Sequence, residues 1–244
     1  MSEPKCKQLQ QIIDESNRIV FFGGAGVSTE SGIPDFRSQD GLYNQQYRYP
    51  PEKILSHSFF MANTEEFYDF YRKKFLYPHV KPNPAHYTLA SLEKAGKLIG
   101  IVTQNVDGLH QLAGSKQVFE LHGSIHRNYC LSCHKNFALE TILCSIGIPR
   151  CQCGGTLKPD VVLYEEPLNQ GVIELAVNAL QSADTLIVGG TSLNVYPAAG
   201  LTSYFHGQKL VLLNRDETSV DQNADLVIRE PIGQILGTLQ IATA

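Results

Sequence analysis

Four of the six cysteines form two closely spaced pairs, and they are the clearest chemical feature of the chain. Cys130 pairs with Cys133 and Cys151 with Cys153, with 17 residues between the pairs. Thiol pairs at this spacing predict a tetrahedral zinc site with four thiolate ligands. Four protein ligands leave no open position for a catalytic water, so we expect one structural zinc ion per chain. The alternative is that these cysteines are small buried apolar residues.

A glycine-containing turn follows the first apolar run of the chain, at residues 18–23. It begins Gly24-Ala25-Gly26 and continues to Thr29. Glycines after a buried strand let the backbone approach a pyrophosphate, and a following helix N-terminus favours its negative charge. Thr29 replaces the third glycine of the dinucleotide fingerprint, and no clear acidic residue ends a second strand about 20 residues on. The pattern indicates a dinucleotide site, with a plain glycine turn as the alternative.

Two polar clusters lie where other apolar runs end. Gln104, Asn105 and Asp107 follow residues 98–103 and offer three amide or carboxylate side chains. His122 stands just ahead of a glycine, and a histidine there can act as a general base near neutral pH. Taken singly, Asn105 and Asp107 could be helix caps and His122 a structural histidine. Their joint appearance favours a functional site.

Two further apolar runs also end in small or hydrogen-bonding residues. Gly190, Thr191 and Ser192 follow one run, and Asn214 ends the other. Ligands of open α/β sheets bind beyond the carboxyl ends of the strands. We therefore expect these strand ends to line one crevice, with Asn214 placed to meet ribose hydroxyls.

The alternation of apolar runs and helical segments predicts an α/β fold, a doubly wound, mostly parallel Rossmann-like sheet. Turn-forming glycines and a proline surround the cysteine pairs, which indicates a small inserted zinc-ribbon module at residues 126–158. The larger domain then comprises residues 1–125 and 159–244. The expected strands are residues 18–23, 98–103, 185–190 and 209–214, and the expected helices are residues 5–16, 65–75, 85–95, 171–181 and 196–206.

Composition excludes several classes of protein. The 244 residues are 43% hydrophobic, enough for a substantial core, and carry a net charge of -4. Because there is no basic excess, nucleic-acid binding is disfavoured as the main activity. The polar N-terminus lacks the apolar stretch of a signal peptide, and no run has the length of a membrane span. We therefore expect a cytoplasmic, reducing setting, in which thiols serve to bind metal.

These motifs occur in the order typical of sirtuins, and the chain resembles that family, especially its compact bacterial forms, over nearly its whole length. The resemblance implies an NAD-dependent protein-lysine deacylase that acts on acyl-lysine proteins and releases nicotinamide and O-acyl-ADP-ribose. Mono-ADP-ribosyl transfer, a nicotinamide-dependent dehydrogenase and a noncatalytic binding module are the alternatives. The resemblance is carried by residues 24–28, 31–37, 103–107 and 121–123, the four cysteines, and residues 158–162, 190–193 and 195–198.

The resemblance also implies a role for each matching position. His122 would be the base, and Asn105 would join it in catalysis. Asn105, Val106 and Asp107 would form the nicotinamide pocket, and Gln104 would hold the ribose. The implied NAD-binding set is Gly24, Ala25, Gly26, Thr29, Asp35, Phe36, Arg37, Gln104, Asn105, Val106, Asp107, His122, Gly190, Thr191, Ser192 and Asn214.

The substrate peptide is expected to add as a strand, so that main-chain hydrogen bonds supply its affinity. Glu165 stands where the family usually carries glycine, which predicts an acidic charge facing the peptide and a preference for basic flanking residues. A solvated pair formed by Glu165 and Glu166 is the alternative. The implied substrate-binding residues are Phe36, Val162, Leu163, Tyr164, Asn194 and Val195.

The acyl group is predicted to be acetyl or another neutral group. Sirtuins that favour succinyl-lysine or malonyl-lysine resemble one another in a Tyr-x-x-Arg pair that meets the distal carboxylate. Here Tyr68 is present, but Tyr71 occupies the arginine position. Arg72 falls one step later, about 100° around a helix, and is expected to be a solvated surface cation.

Overall fold

The computed structural model describes residues 3–35, 48–218 and 220–241. Its larger sheet has six parallel strands in the order β3-β2-β1-β7-β8-β9, and its smaller antiparallel sheet has the order β5-β4-β6. The strands are β1 (Ile19–Gly23), β2 (Leu98–Thr103), β3 (Val118–Glu120), β4 (Gly123–Cys130), β5 (Asn136–Ala138), β6 (Leu157–Val161), β7 (Thr185–Gly189), β8 (Lys209–Leu213) and β9 (Leu226–Ile228).

The helices connect and cover these strands. Four of the five expected helices are α-helices with ends within a few residues of the predicted ones. The fifth, at 196–206, is a 3-10 helix, Ala198–Tyr204, and Gly200 in its middle disfavours a regular α-helix. The α-helices are α1 (Glu3–Glu15), α2 (Pro51–Ile54), α3 (His57–Ala62), α4 (Thr64–Lys74), α5 (Pro84–Lys94), α6 (Leu109–Leu112), α7 (Leu139–Leu143), α8 (Gln170–Ser182) and α9 (Ile232–Leu236).

The large sheet is buried on both faces, which confirms the doubly wound α/β prediction. Phe21 belongs to a core with α1, α5 and α9, whereas the next residue, Phe22, belongs to a core with α8 and the 3-10 helix. Both phenylalanines are fully buried. Because side chains alternate along a strand, a strand covered on both faces is apolar at every position.

A separate core joins the small sheet to α2, α3 and α4. Its centre is a group of aromatic rings, including Phe67 stacked on Tyr71 with centroids 5.5 Å apart. The division into residues 126–158 and the remainder stays a prediction, and this core indicates that α2–α4 pack with the inserted module. None of the helices described is long and apolar enough to cross a membrane.

Arg72 is not a solvated cation, so that part of the prediction is wrong. Its guanidinium donates to the carbonyl of Ile142 at 3.1 Å, to Ser145 Oγ at 2.7 Å and to the carbonyl of Gly147 at 2.7 Å. These bonds join α4 to the segment around α7. Burial lowers the pKa of Arg72, but a guanidinium stays charged. One of its acceptors, the Ile142 carbonyl, lies in the last turn of α7, where the helix dipole favours a cation.

Two histidines meet inside the fold. The rings of His86 on α5 and His110 on α6 have centroids 4.8 Å apart, and each side chain is at most 1% exposed. Burial lowers the pKa of His86 to about 4. Burial, together with the charge of His86, lowers the pKa of His110 to about 3. Both imidazoles are therefore neutral in the folded protein at neutral pH.

This pair predicts a loss of stability in mild acid. The unfolded chain binds protons below a histidine pKa of about 6.5, whereas the folded pair stays neutral down to about pH 4. The stabilising contribution is therefore complete above pH ~6.5 and is lost as the pH falls. Between pH 7.5 and pH 5.5, each of the two histidines should lower the free energy of unfolding by about 1.4 kcal/mol.

Denaturant unfolding of the wild type and His110→Leu at both pH values measures this loss. The fall in the free energy of unfolding from pH 7.5 to pH 5.5 should be smaller in His110→Leu than in the wild type, by the contribution of one histidine. This holds whatever the stability of His110→Leu at pH 7.5. Parallel pH profiles for the two proteins would contradict the assignment.

Candidate functional site

The carboxyl ends of β1, β2, β7 and β8 open into a crevice with a cavity of about 550 Å³. This volume is within the usual range for small-molecule sites, about 300–1,000 Å³. Most of the predicted site residues lie along it. These are Gly24, Ala25, Gly26, Thr29, Asp35, Gln104, Asn105, Val106, Asp107, His122, Gly190, Thr191, Ser192, Asn214, Val162, Leu163, Tyr164 and Val195.

Three predicted residues are not brought to the crevice by the described part of the chain. Phe36 and Arg37 lie outside the described residues. Asn194 is exposed and does not line the cavity. It follows Leu193, whose φ of 53° turns the chain at this point.

The structure adds crevice residues that sequence reasoning missed. Ser28 lies within the glycine motif and could have been found there. Glu230 and Ile232 follow β9, a three-residue strand too short to stand out as an apolar run. The added residues include Ser28, Ile33, Arg215, Asp216, Glu230 and Ile232.

The glycines of the β1 loop pack against the loop that follows β7. A Cβ on Gly24 would lie 2.8 Å from Thr191 Cβ, and one on Gly26 would lie 2.8 Å from the Cα of Gly190. Gly190 has a φ of 58°, and its own Cβ would lie 2.4 Å from the Val27 nitrogen. These glycines are therefore required for contact between the two loops, in addition to the predicted approach of a pyrophosphate.

Asp107 binds the first residue of α6 and also lines the crevice. One oxygen accepts the Leu109 N–H at 2.9 Å, and the other accepts the Ser28 hydroxyl at 2.7 Å. Asn105 Nδ2 donates to Ser28 Oγ at 3.1 Å. Burial raises the pKa of Asp107, although the bonds from Leu109 and Ser28 oppose it. Asn105, Asp107 and Ser28 thus form one partly buried polar cluster.

His122 has a defined tautomer. Its Nδ1 lies 2.9 Å from the carbonyl oxygen of Gln104, and a carbonyl oxygen only accepts. Nδ1 therefore carries the proton, and Nε2 is free of one in the neutral ring. Burial lowers the pKa of His122, and the bond to Gln104 partly offsets this effect. At neutral pH the ring is a neutral base with Nε2 as its accepting atom.

Gln104 connects the ends of β2 and β7. Its Nε2 donates to Thr191 Oγ1 at 3.0 Å, and the same hydroxyl oxygen accepts the Leu193 N–H at 3.2 Å. At the end of β8, Asn214 Nδ2 donates to the Asp216 carbonyl at 2.8 Å. The amide groups at these strand ends are therefore held in fixed orientations.

The segment at residues 161–166, which lines the substrate side of the crevice, is bonded to its neighbours. The Val162 N–H donates to the His122 carbonyl at 3.0 Å, and the Tyr164 N–H to the Leu55 carbonyl at 2.9 Å. The Tyr164 carbonyl accepts the His57 N–H at 3.0 Å. A peptide that adds as a strand along Tyr164 has to compete with these bonds.

Both glutamates of this segment have partners within the protein, although Glu165 is also exposed to solvent. Glu165 accepts from the Ser58 N–H and hydroxyl at 2.8 and 2.9 Å. Glu166 binds His57 Nδ1 at 2.8 Å and the buried Lys158 at 3.0 Å. Burial acts to raise the pKa of Glu166, but the bonds from Leu163, His57 and Lys158 prevail and lower it. Glu165 lines the crevice, as expected for a residue on the substrate side, while its carboxylate is bound to Ser58. The preference for basic flanking residues stays a prediction.

The four cysteine sulfurs meet at the end of the small sheet. All four lie within 4.8 Å of one another. Cys130 Sγ lies 3.5 Å from Cys153 Sγ, and Cys133 Sγ lies 3.6 Å from Cys151 Sγ. Tetrahedral zinc with Zn–S bonds of about 2.3 Å places its sulfurs ~3.8 Å apart. The cluster therefore fits a zinc ion held by four thiolates.

The four thiols of the cluster differ in acidity. Backbone N–H groups of Cys133 and Ser132 that point at the Cys130 sulfur lower the pKa of this thiol to about 6. The Gly155 N–H acts to lower the pKa of Cys153, but hydrogen bonds with the other three thiols prevail and raise it to about 12. A metal ligand has to be the thiolate, so a low thiol pKa favours binding at neutral pH.

Comparison with known proteins identifies the family. The model of the Sir2 family matches residues 24–197. The chain belongs to the Sir2 family. A relative from Clostridium acetobutylicum, named NAD-dependent protein deacetylase, is 60% identical over 239 residues, which cover 96% of this chain and 98% of the relative. A relative with the same name from Staphylococcus epidermidis is 44% identical over 97% of both chains.

Solved Sir2 structures share the whole fold. A Sir2 homologue in complex with NAD has a TM-score of 0.85 at 38% identity and covers 95% of this chain and 91% of that one. A Sir2 structure with a p53 peptide and NAD+ has a TM-score of 0.83 at 39% identity, with 95% of each chain covered. The predicted family and fold are confirmed.

The cysteine cluster leads to a prediction about metal content. The purified protein should contain about one zinc per chain, and Cys153→Ala should lose it because three thiolates bind zinc less well than four. Metal analysis and thermal unfolding measure both effects. Cys144→Ser is the matched control, since Cys144 is exposed and outside the cluster. Full metal content and unchanged stability in Cys153→Ala would contradict the assignment.

Proposed function

We propose that this chain is an NAD-dependent protein-lysine deacetylase that transfers the acetyl group to ADP-ribose with release of nicotinamide. The observation that carries the proposal is the neutral His122, whose Nδ1–H is bound to Gln104 so that Nε2 is a base in the crevice. The name of the close relatives supports it. We also propose that acyl-lysine proteins are the partners, without membrane or nucleic acid, in the cytoplasm, where free thiols persist.

The crevice fits NAD as a co-substrate. The N–H groups of Gly24 and Gly26 donate to the carbonyls of Gly189 and Gly190, so the glycine loop is held against the end of β7, at the strand ends where α/β sheets bind dinucleotides. Asn105, Asp107 and Ser28 form a polar pocket suited to a carboxamide. When bound, NAD would supply a ribose carbon from which nicotinamide departs as the acyl oxygen of the substrate attacks.

The protein's own groups would supply orientation and proton transfer. The amides of Gln104 and Asn105 are held in place by Thr191 and Ser28, so they can orient the co-substrate without a cost in conformational entropy. His122 Nε2 would accept a proton from a ribose hydroxyl, which makes that oxygen a better nucleophile. A zinc ion with four thiolate ligands takes no part in this chemistry, because it offers no open position.

A direct assay tests the proposal. The protein is incubated with NAD and an acetyl-lysine peptide while nicotinamide, deacetylated peptide and O-acetyl-ADP-ribose are measured by mass spectrometry. Equal amounts of the three products support deacetylation. Appearance of NADH absorbance would indicate a dehydrogenase, and ADP-ribose attached to protein would indicate mono-ADP-ribosyl transfer; either outcome without deacetylation refutes the proposal.

The base assigned to His122 is tested by substitution. His122→Ala should lower kcat for deacetylation by about a hundredfold or more, the usual effect of losing a general base. NAD binding and thermal stability should remain close to those of the wild type. His206→Ala is a matched control, because His206 is exposed and does not line the crevice. Near-normal turnover in a folded His122→Ala protein would exclude the role.

The surroundings of the crevice also predict the acyl preference. Tyr68 and Tyr71 are fully buried, Tyr68 donates to the Leu157 carbonyl at 2.5 Å, and Arg72 is bound at the α7 segment. None of the three lines the crevice as described, so they do not supply a site for a distal carboxylate. We expect kcat/KM on an acetyl-lysine peptide to exceed that on the same peptide with succinyl-lysine.

Lys74, at the end of α4, does line the crevice. If the protein preferred succinyl-lysine, the prediction that its acyl site lacks a partner for a carboxylate would be wrong. Loss of that preference in Lys74→Met would then identify Lys74 as the group that binds the distal carboxylate.

A further inference from the structure

The segment at 161–166 is held against the start of α3 through its backbone. Tyr164 shares two main-chain hydrogen bonds with the residues before and at the start of this helix, Leu55 and His57. Tyr164 and Leu55 both line the crevice. The position of this side of the crevice therefore depends on the contacts that hold the segment against α3.

The side chain of Glu165 binds α3, and the backbone of Glu165 is strained. Its φ is 76°, a left-handed conformation that costs energy for any residue with a Cβ and that glycine adopts freely. Both carboxylate oxygens accept from Ser58, one from the N–H at 2.8 Å and one from the hydroxyl at 2.9 Å. The Ser58 N–H is in the first turn of α3, where backbone donors lack partners within the helix. The carboxylate supplies that partner and offsets the strain.

Glu166 holds the other side of the segment. It bridges His57 Nδ1 at 2.8 Å and Lys158 Nζ at 3.0 Å, and it also accepts the Leu163 N–H at 2.9 Å. Lys158 is only 3% exposed. Glu165 is therefore bound to α3, and Glu166 is bound to both α3 and β6.

We propose that Glu165 is a positioning residue for the acyl-peptide substrate: by capping α3 at Ser58 it holds Tyr164 and Leu163 at the crevice wall. This inference rests on the proposed deacetylase function. It also has a consequence for specificity. Glu165 lines the crevice, but two hydrogen bonds from Ser58 hold its carboxylate against α3, so we expect it to contribute little to the selection of basic side chains next to the acyl-lysine.

Three substitutions distinguish the effect of the Glu165 carboxylate from the effect of its strained backbone. Glu165→Gln keeps one accepting oxygen, Glu165→Gly relieves the φ strain but removes the cap, and Glu165→Ala removes the cap and keeps the strain. We expect KM for the acetyl-peptide to rise about tenfold in Glu165→Ala, less in Glu165→Gly, and about twofold or less in Glu165→Gln. Because the Glu165 carboxylate is bound to Ser58 and not to a predicted NAD residue, kcat and KM for NAD should change by less than about twofold.

A double-mutant cycle tests the partner. Ser58→Ala removes the hydroxyl donor to Glu165. The double variant Ser58→Ala/Glu165→Ala should therefore raise KM for the peptide by less than the combined effects of the two single variants. Two peptides that differ only in arginine or glutamine beside the acetyl-lysine test the specificity. The wild type should show the same KM for both within about twofold, even at low salt, where a free carboxylate would attract arginine most strongly.

Amide hydrogen exchange provides a measurement independent of activity. The amides of Ser58 and Tyr164 should exchange faster in Glu165→Ala than in the wild type and remain protected in Glu165→Gln. Glu174→Ala, on the exposed face of α8 away from the crevice, is the control and should change neither exchange nor KM.

The outcomes separate the two proposals. A wild type without NAD-dependent deacetylation refutes the proposed function, whereas an active wild type with unchanged KM for the peptide in Glu165→Ala refutes the positioning role. Unchanged exchange at Ser58 and Tyr164, additive effects in the cycle, or an arginine preference that disappears in Glu165→Gln would also overturn it.

Discussion

The site depends on the close contact between the loop after β1 and the loop after β7. Side chains at Gly24, Gly26 or Gly190 would each place a Cβ within 3 Å of the opposing loop. Their absence lets the two strand ends approach, and Gln104 completes the junction by donating to Thr191. Because parallel strands end at one edge of the sheet, this contact shapes the floor of the crevice and fixes the positions from which the other groups act.

Burial then sets the charge state of the groups around that floor. Removal from water disfavours the charged form of any ionisable side chain. It lowers the pKa of His122 and raises that of Asp107. Hydrogen bonds decide the remaining detail, since the Gln104 carbonyl selects the His122 tautomer. The same effect keeps His86 and His110 neutral deeper in the fold, so the reactivity of the site and the acid sensitivity of the structure have a common physical origin.

The opposite wall of the crevice belongs to a second core, formed by α2–α4 and the small sheet. Its cohesion comes from packed aromatic rings, from the four-cysteine cluster and from Arg72, which binds the end of α7. The segment at 161–166 joins this core to the crevice through Glu165 and Glu166. A substrate is therefore expected to meet a surface whose position depends on contacts several residues away from the reacting atoms.

The sequence by itself determined the family, the parallel sheet, the zinc cluster and the strand ends at which the crevice lies, because apolar runs, cysteine spacing and short motifs can be recognised along the chain. It was wrong about Arg72, and it did not predict that Glu165, at the crevice, is bound to Ser58. The partners of a charged side chain cannot be inferred from the residues beside it in the sequence. Only the tertiary structure brought Ser145 to Arg72 and Ser58 to Glu165. These partners lie 73 and 107 residues away along the chain, and no local pattern encodes a contact at that separation.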